Sequence, residues 1–154
     1  GLAKVHQRFI KERVFPFIAS NYRASETDRT LVGHSLGALF GASVLFSDPD
    51  MFSAYLLSSP SVWFDDDSIL AMKPTQPKQE VKVYLAVGEQ ETPQFGEGQN
   101  MVFGAIQLKE KIEKIANPSL KLKFSVSAAA SHTTAFPTAA IQGLDWIYGI
   151  KHDK

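Results

Sequence analysis

The spacing of apolar positions changes several times along the chain, and each change marks a new element. Leu2, Val5, Phe9, Ile10, Val14, Phe17 and Ile18 recur at helical intervals, which predicts a helix over residues 2–20 kinked near its end by Pro16. In "RTLVGHS" the apolar pair Leu31 and Val32 predicts a short buried strand that breaks at Gly33 and passes into a helix carrying Leu36, Leu39, Phe40, Val44 and Leu45. "SDPDMF" reads as a loop, and "SAYLLSS" as a second apolar strand ending at Ser58 to Pro60. In "FDDDSIL", Asp65 to Asp67 read as the acidic entry to a short helix.

The second half repeats the alternation more clearly. "EVKVYLAVGE", residues 80–89, is rich in β-branched and aromatic residues and stops at a glycine, the signature of a buried strand. Met101, Ala105, Leu108, Ile112 and Ile115 recur at intervals of four, three, four and three, with Lys109 facing Glu113 and Glu110 facing Lys114. This predicts an amphipathic helix over about 98–116. "SLKLKFSV" sets Leu120, Leu122, Phe124 and Val126 against Lys121, Lys123 and Ser125, the pattern of a half-exposed strand at a sheet edge guarded by lysines. A last helix is predicted from roughly Pro137 to Tyr148. Strands separated by helices define an α/β class with a mostly parallel sheet flanked by helices, whose ligands bind at the carboxyl ends of the strands.

Composition narrows the functions. The 154 residues are 44% hydrophobic and 21% charged, enough apolar material for one globular domain, 1–154, and there is no repeat or linker at which to divide it. Sixteen basic residues balance sixteen acidic ones, so nucleic acid is not an expected partner. No apolar run is long enough to span a bilayer, and "GLAKVHQRFIKERV" does not have the build of a signal peptide. The compartment, cytoplasmic or periplasmic, is not specified. The absence of cysteine excludes a disulfide framework, a thiolate metal site and a cysteine nucleophile. Neither a metal nor a cofactor is expected: the aspartate run lacks the spaced ligands and glycine of an EF-hand loop, and "GHSLGALFG" has neither GK[ST] nor GxGxxG. The expected partner is a small-molecule ester.

That expectation comes from Gly33-His34-Ser35-Leu36-Gly37. A serine hydroxyl attacks an ester only with a base to take its proton, a group to orient the base, and backbone donors for the oxyanion. Between Gly33 and Gly37, Ser35 occupies a strand-to-helix elbow in which glycines keep a strained turn free of clashes, and the N–H of Leu36 at the helix start supplies one oxyanion donor. His132, in "AAASHTTAFP" just past the last strand, is the candidate base, delivered from a loop. The acid comes from "VGEQET", which offers Glu89 and Glu91; Glu91 lies farther into the loop and is preferred. His34 is expected to pack or hydrogen-bond behind the elbow, whereas His6 and His152, near the ends, are expected at solvated surface.

"TLVGHSLGALFGASVLFSDPDMFSAYLLSSPSVWF", "VYLAVGEQE" and "SHTTAFPTAAIQGLDWIYG" together resemble the putative-esterase family of α/β-hydrolases, which includes enterochelin (siderophore) esterases and S-formylglutathione hydrolase. The resemblance covers nearly the whole chain and implies a serine carboxylic-ester hydrolase acting through an acyl-serine intermediate, with Ser35 as nucleophile, His132 as base and Glu91 as acid. Mycolyltransferases share the family, so acyl transfer is one alternative and a catalytically silent scaffold another. Family members carry a further half-sheet ahead of the first helix, including the loop that supplies the second oxyanion N–H. The chain is therefore expected to be the C-terminal portion of the fold, with about four strands. Its nucleophile strand should expose an apolar edge, covered by strand addition or swapping in a homodimer, or by a separate N-terminal fragment.

Overall fold

A computed structural model describes residues 2–149. The first element is a continuous helical rod: α1 (Ala3–Phe9), a π-helical turn (Ile10–Val14) and α2 (Phe15–Asn21). The Phe15 N–H reaches back five residues to Ile10 O, so a widened turn, and not a break, precedes Pro16. The amphipathic stripe does not become core here. No residue of α1, the π turn or α2 is buried, although Ile10 and Phe15 lean against the main core.

Four strands follow, β1 (Thr30–His34), β2 (Ala54–Ser58), β3 (Val81–Gly88) and β4 (Leu120–Ser127), paired in the order β1-β2-β3-β4 and parallel throughout. Their connections are α3 (Leu36–Ser47), the four-residue α4 (Ser68–Ala71) and α5 (Met101–Glu113). Right-handed crossovers in a sheet that grows in one direction place these helices on one face. There Leu31, Tyr55, Leu57, Val83 and Leu85 from the strands meet Ala38, Ala42 and Leu45 of α3 and Leu108 and Ile112 of α5. The final helix, α6 (His132–Tyr148), crosses to the opposite face, where Ala139 and Ile147 pack on Ala54, Leu56, Tyr84 and Ala86. The alternation of side chains along β2 and β3 is therefore divided between two cores, which is why residues 54–57 of β2 and 83–87 of β3 read as unbroken apolar runs.

Several sequence expectations need correction. Helix α6 begins at His132, not near Pro137: Ser131 and Thr134 form a reciprocal capping box, and the exposed Pro137 is carried inside the helix at the loss of one backbone bond. His132 is accordingly the first residue of a helix and not a loop residue. Val32 is not buried; it is 45% exposed on the α6 side of β1. The aspartate run does enter α4, but without capping it: Asp67 makes no side-chain cap bond, and Asp65, Asp66 and Asp67 all adopt left-handed φ values of 56°, 50° and 55°. Helix α5 is capped instead by Asn100, whose side chain accepts the Phe103 N–H at 2.9 Å. His6 is exposed, with its ring against Phe40, while His152 lies outside the described residues. Among the described residues no helix is long and apolar enough to cross a membrane, and no group of three or more His, Cys, Asp or Glu is arranged to hold a metal ion.

Candidate active site

Each strand delivers one part of the site at its carboxyl end: Ser35 directly after β1, Ser59 and Ser61 after β2, Glu91 three residues beyond β3, and His132 five residues beyond β4. This is where a parallel sheet presents its ligands. Ser35 stands at the tip of the elbow with φ 58° and ψ −120°, a conformation that costs a non-glycine residue on the order of 1–3 kcal/mol. Three backbone bonds hold it there: its own N–H donates to Ser58 O at 3.0 Å, and its carbonyl accepts from Leu39 at 3.0 Å and Ser61 at 3.3 Å.

The two glycines of the motif are not equivalent. A Cβ on Gly33 would lie 2.4 Å from the carbonyl oxygen of Gly37, so the turn closes only over glycine. A Cβ on Gly37 would meet nothing within 4 Å, which removes the steric reason for glycine at that position. As the first residue of α3, Leu36 has an N–H without an intrahelical acceptor, at the positive end of the helix dipole.

Glu91 is fully buried, at 0% exposure, yet each oxygen is partnered. Oε2 accepts from Nδ1 of His132 at 2.6 Å, and Oε1 accepts from the Ser59 hydroxyl at 2.6 Å and the Gly88 N–H at 2.7 Å. Glycine at 88 leaves room for this, since a Cβ there would sit 2.9 Å from Glu91 Oε1 and 2.3 Å from the Ala130 carbonyl oxygen. Glu89, by contrast, is exposed and accepts the Ala129 N–H at 2.8 Å.

Ser35 and His132 line one cavity of about 270 Å³, with Ser61, Trp63, Glu97, Gly98, Gln99 and Met101. Within it the Ser35 hydroxyl is 3.1 Å from the Ser61 hydroxyl, and among the described residues no hydrogen bond joins it to the imidazole. The His34 ring lies against His132 with ring centroids 4.4 Å apart and planes tilted by 34°, also packs against Phe136, and has Nδ1 at 3.3 Å from Ser58 Oγ. Burial, and next the neighbouring His132, push the His34 pKa below its ordinary value; Glu91 acts in the opposite direction.

Reading the residues alone does not single out Ser58, Ser59 and Ser61. Their signal is "SSPS" directly after the apolar run of β2, three hydroxyls at the level of the elbow with no solvent to explain them; Ser58, Ser59 and Ser61 are all buried.

A parallel sheet with a strained serine elbow at one strand end defines an α/β-hydrolase type of protein. Residues 1–142 match the family described as "Putative esterase", and the chain belongs to that family. It is 29% identical over 153 residues to the ferri-bacillibactin esterase BesA of Bacillus subtilis (strain 168), an alignment covering 94% of this chain and 51% of BesA. Among solved structures, the BES protein from Bacillus cereus superposes with a TM-score of 0.80 at 32% identity, covering 94% of this chain and 54% of that one. The siderophore hydrolase EstA from Aspergillus nidulans superposes at 0.73 with 26% identity, covering 96% and 56%. The chain thus spans about half the length of these relatives.

Proposed function

We propose that this chain carries the nucleophile, base and acid of a serine carboxylic-ester hydrolase of the siderophore-esterase kind. The observation that carries the reading is that Ser35 and His132 share one cavity while a buried carboxylate, Glu91, holds the far nitrogen of the same imidazole. With Nδ1 committed to Glu91, Nε2 is the basic nitrogen. Attack requires a rotation about χ1 that turns the Ser35 hydroxyl from Ser61 toward that nitrogen. His132 then accepts the proton as Ser35 Oγ attacks the ester carbonyl, and the Leu36 N–H bonds the oxyanion. Proton return from His132 to the leaving alkoxide gives an acyl-serine, which water hydrolyses by the same steps.

A second reading is favoured by one observation: β1 pairs only with β2 among the described residues, so the nucleophile strand lies at the sheet edge. On this reading the chain supplies part of a site, and its β1 edge is covered by a segment equivalent to the remaining half of the relatives or by a second copy. A single oxyanion donor would leave a rate about a hundredfold to a thousandfold below that of a site with two.

A fluorophosphonate probe tests the assignment. Covalent labelling at Ser35, absent from Ser35→Ala, is expected together with a burst on short p-nitrophenyl esters. Turnover unchanged in Ser35→Ala would refute the assignment, and no labelling in either the chain or its complex with a covering segment would leave a silent scaffold.

A further inference from the structure

The two oxygens of Glu91 are held unequally. Among the described residues Oε2 has His132 Nδ1 as its one partner, whereas Oε1 takes two donors, the Gly88 N–H at the end of β3 and the Ser59 hydroxyl from the neighbouring strand end. Ser59 is unusual in two further ways: it is fully buried, at 0% exposure, and its backbone is left-handed, with φ 48°. Serine gains little from either, since the left-handed region is uncommon for residues with a Cβ and a buried hydroxyl must find a partner. Both features have the same result. The Ser59 N–H continues across to Ala86 O at 2.7 Å, so the chain turns over the end of β3 just where the side chain meets the carboxylate.

A carboxylate bonded through one donor can pivot about that bond and offer either oxygen to an imidazole. A second donor approaching the same oxygen from another element removes the pivot. We propose that Ser59 is a positioning residue: its hydroxyl fixes Oε1 of Glu91 and thereby leaves Oε2 as the single acceptor for the His132 Nδ1–H. This rests on the reading of Glu91 and His132 as acid and base. The strained turn at residue 59 is then maintained for the orientation of the imidazole: the Ser59 hydroxyl acts on Ser35 through Glu91 and His132, while the flanking Ser58 carbonyl and Ser61 touch Ser35 directly.

The test uses two variants that remove the hydroxyl and differ in strain. Ser59→Gly accepts the left-handed backbone readily, and Ser59→Ala keeps its strain. The readout on the chain itself is the downfield proton resonance of His132 Nδ1, identified by its loss in His132→Gln. In both variants, with backbone spectra otherwise native, this resonance is expected to move upfield and to exchange faster. On an ester, kcat per titrated site is expected to fall about tenfold to a hundredfold, the range for losing a bond to a charged group, with KM unchanged. A resonance and a kcat that match the parent in both variants would overturn the proposal, as would a change confined to either variant: both lose the hydroxyl, and only Ser59→Gly also relieves the backbone strain, so an effect confined to one of them has another cause. If Ser35→Ala left ester turnover intact while the resonance still responded to Ser59→Gly, the enzyme reading would fall and the hold of Ser59 on Glu91 would stand. If Ser35 proved to be the nucleophile and the resonance ignored residue 59, the proposal alone would fall.

Discussion

The two edges of the sheet are built differently. At β4 the chain alternates, with Lys121 and Lys123 exposed on either side of the partly buried Leu122, the arrangement by which natural proteins discourage further strand pairing. At β1, "TLVGH" carries no charged side chain, Val32 is 45% exposed, and the adjoining helical rod leaves Leu2, Val5, Phe9, Phe17 and Tyr22 in water. Single exposed apolar residues are ordinary; a row of them near an unpaired edge is what the proposed covering of β1 would require. The candidate site straddles this contrast. Glu91 and His132 belong to the β3–β4 side, where both Glu91 oxygens and His132 Nδ1 are paired within the chain; Ser35 directly follows β1, at the sheet edge among the described residues. On the proposed reading, the acid–base part is self-contained and the nucleophile part is completed by what covers β1.

The largest effect that could break this contrast is at Glu91. Glu91→Gln keeps the shape and one oxygen acceptor but offers an amide N–H where His132 Nδ1 now donates, which favours the wrong imidazole tautomer. Labelling of Ser35 is expected to slow by about a thousandfold to ten-thousandfold, the scale of comparable substitutions in serine hydrolases. A loss below tenfold, measured as the rate constant for fluorophosphonate reaction, would show that the self-contained side contributes little.

Next in size is the paired test of the elbow. Gly33→Ala forces a Cβ onto a backbone carbonyl and is expected to cost about 3 kcal/mol in denaturant unfolding. Gly37→Ala places its methyl in open space and is expected to stay within about 1 kcal/mol of the parent. Equal losses would mean that the motif glycines serve the same steric need, contrary to the geometry.

These residues also show what could be read from the chain. Strand β3, helix α5 and strand β4 were legible because each has one exposure pattern sustained over eight or more residues. The order of Glu89 and Glu91 was legible only as a preference, since spacing cannot show that the turn after Gly88 sends Glu89 outward to Ala129 and folds Glu91 back under the strand end. The start of α6 was misplaced because Pro137 suits a first helical turn, whereas the true cap, Ser131 with Thr134, has a threonine in place of the usual acidic or amide partner. The burial of α1 and α2 was unreadable for a different reason: periodicity reports that a face is apolar, not that its partner lies within the same chain.

Exchanging the guards of the two edges sharpens the comparison at lower cost. Val32→Lys puts a charge on β1 at a half-exposed position, where a stability change under about 0.5 kcal/mol is expected. If copies of the chain pair through β1, the variant is expected to elute as a smaller species in size-exclusion chromatography with light scattering. Replacing both Lys121 and Lys123 by valine is expected to create the opposite behaviour, self-association through β4 that rises with concentration. Should Val32→Lys and the parent elute identically as oligomers, β1 is not the pairing edge.

The smallest expected effect concerns a residue that joins the two sides. His34 belongs to β1, yet its ring lies against His132 and Phe136 of α6. Its pKa is lowered below the ordinary 6.5, first by burial and then by His132, so the folded chain binds a proton at His34 less readily than the unfolded chain does. Stability contributed at this position is thus intact above about pH 6.5 and is lost as the pH falls below it toward the folded pKa. His34→Phe preserves a ring against His132 while removing the titration and the 3.3 Å contact with Ser58. Near neutrality the two chains are expected to differ by under about 1 kcal/mol, the scale of one weak hydrogen bond. Between pH 7 and 5 the urea midpoint of the parent should fall further than that of the variant. Parallel curves would mean that His34 protonates with equal ease in both states, and that the contact between the nucleophile strand and the acid–base helix carries no electrostatic coupling.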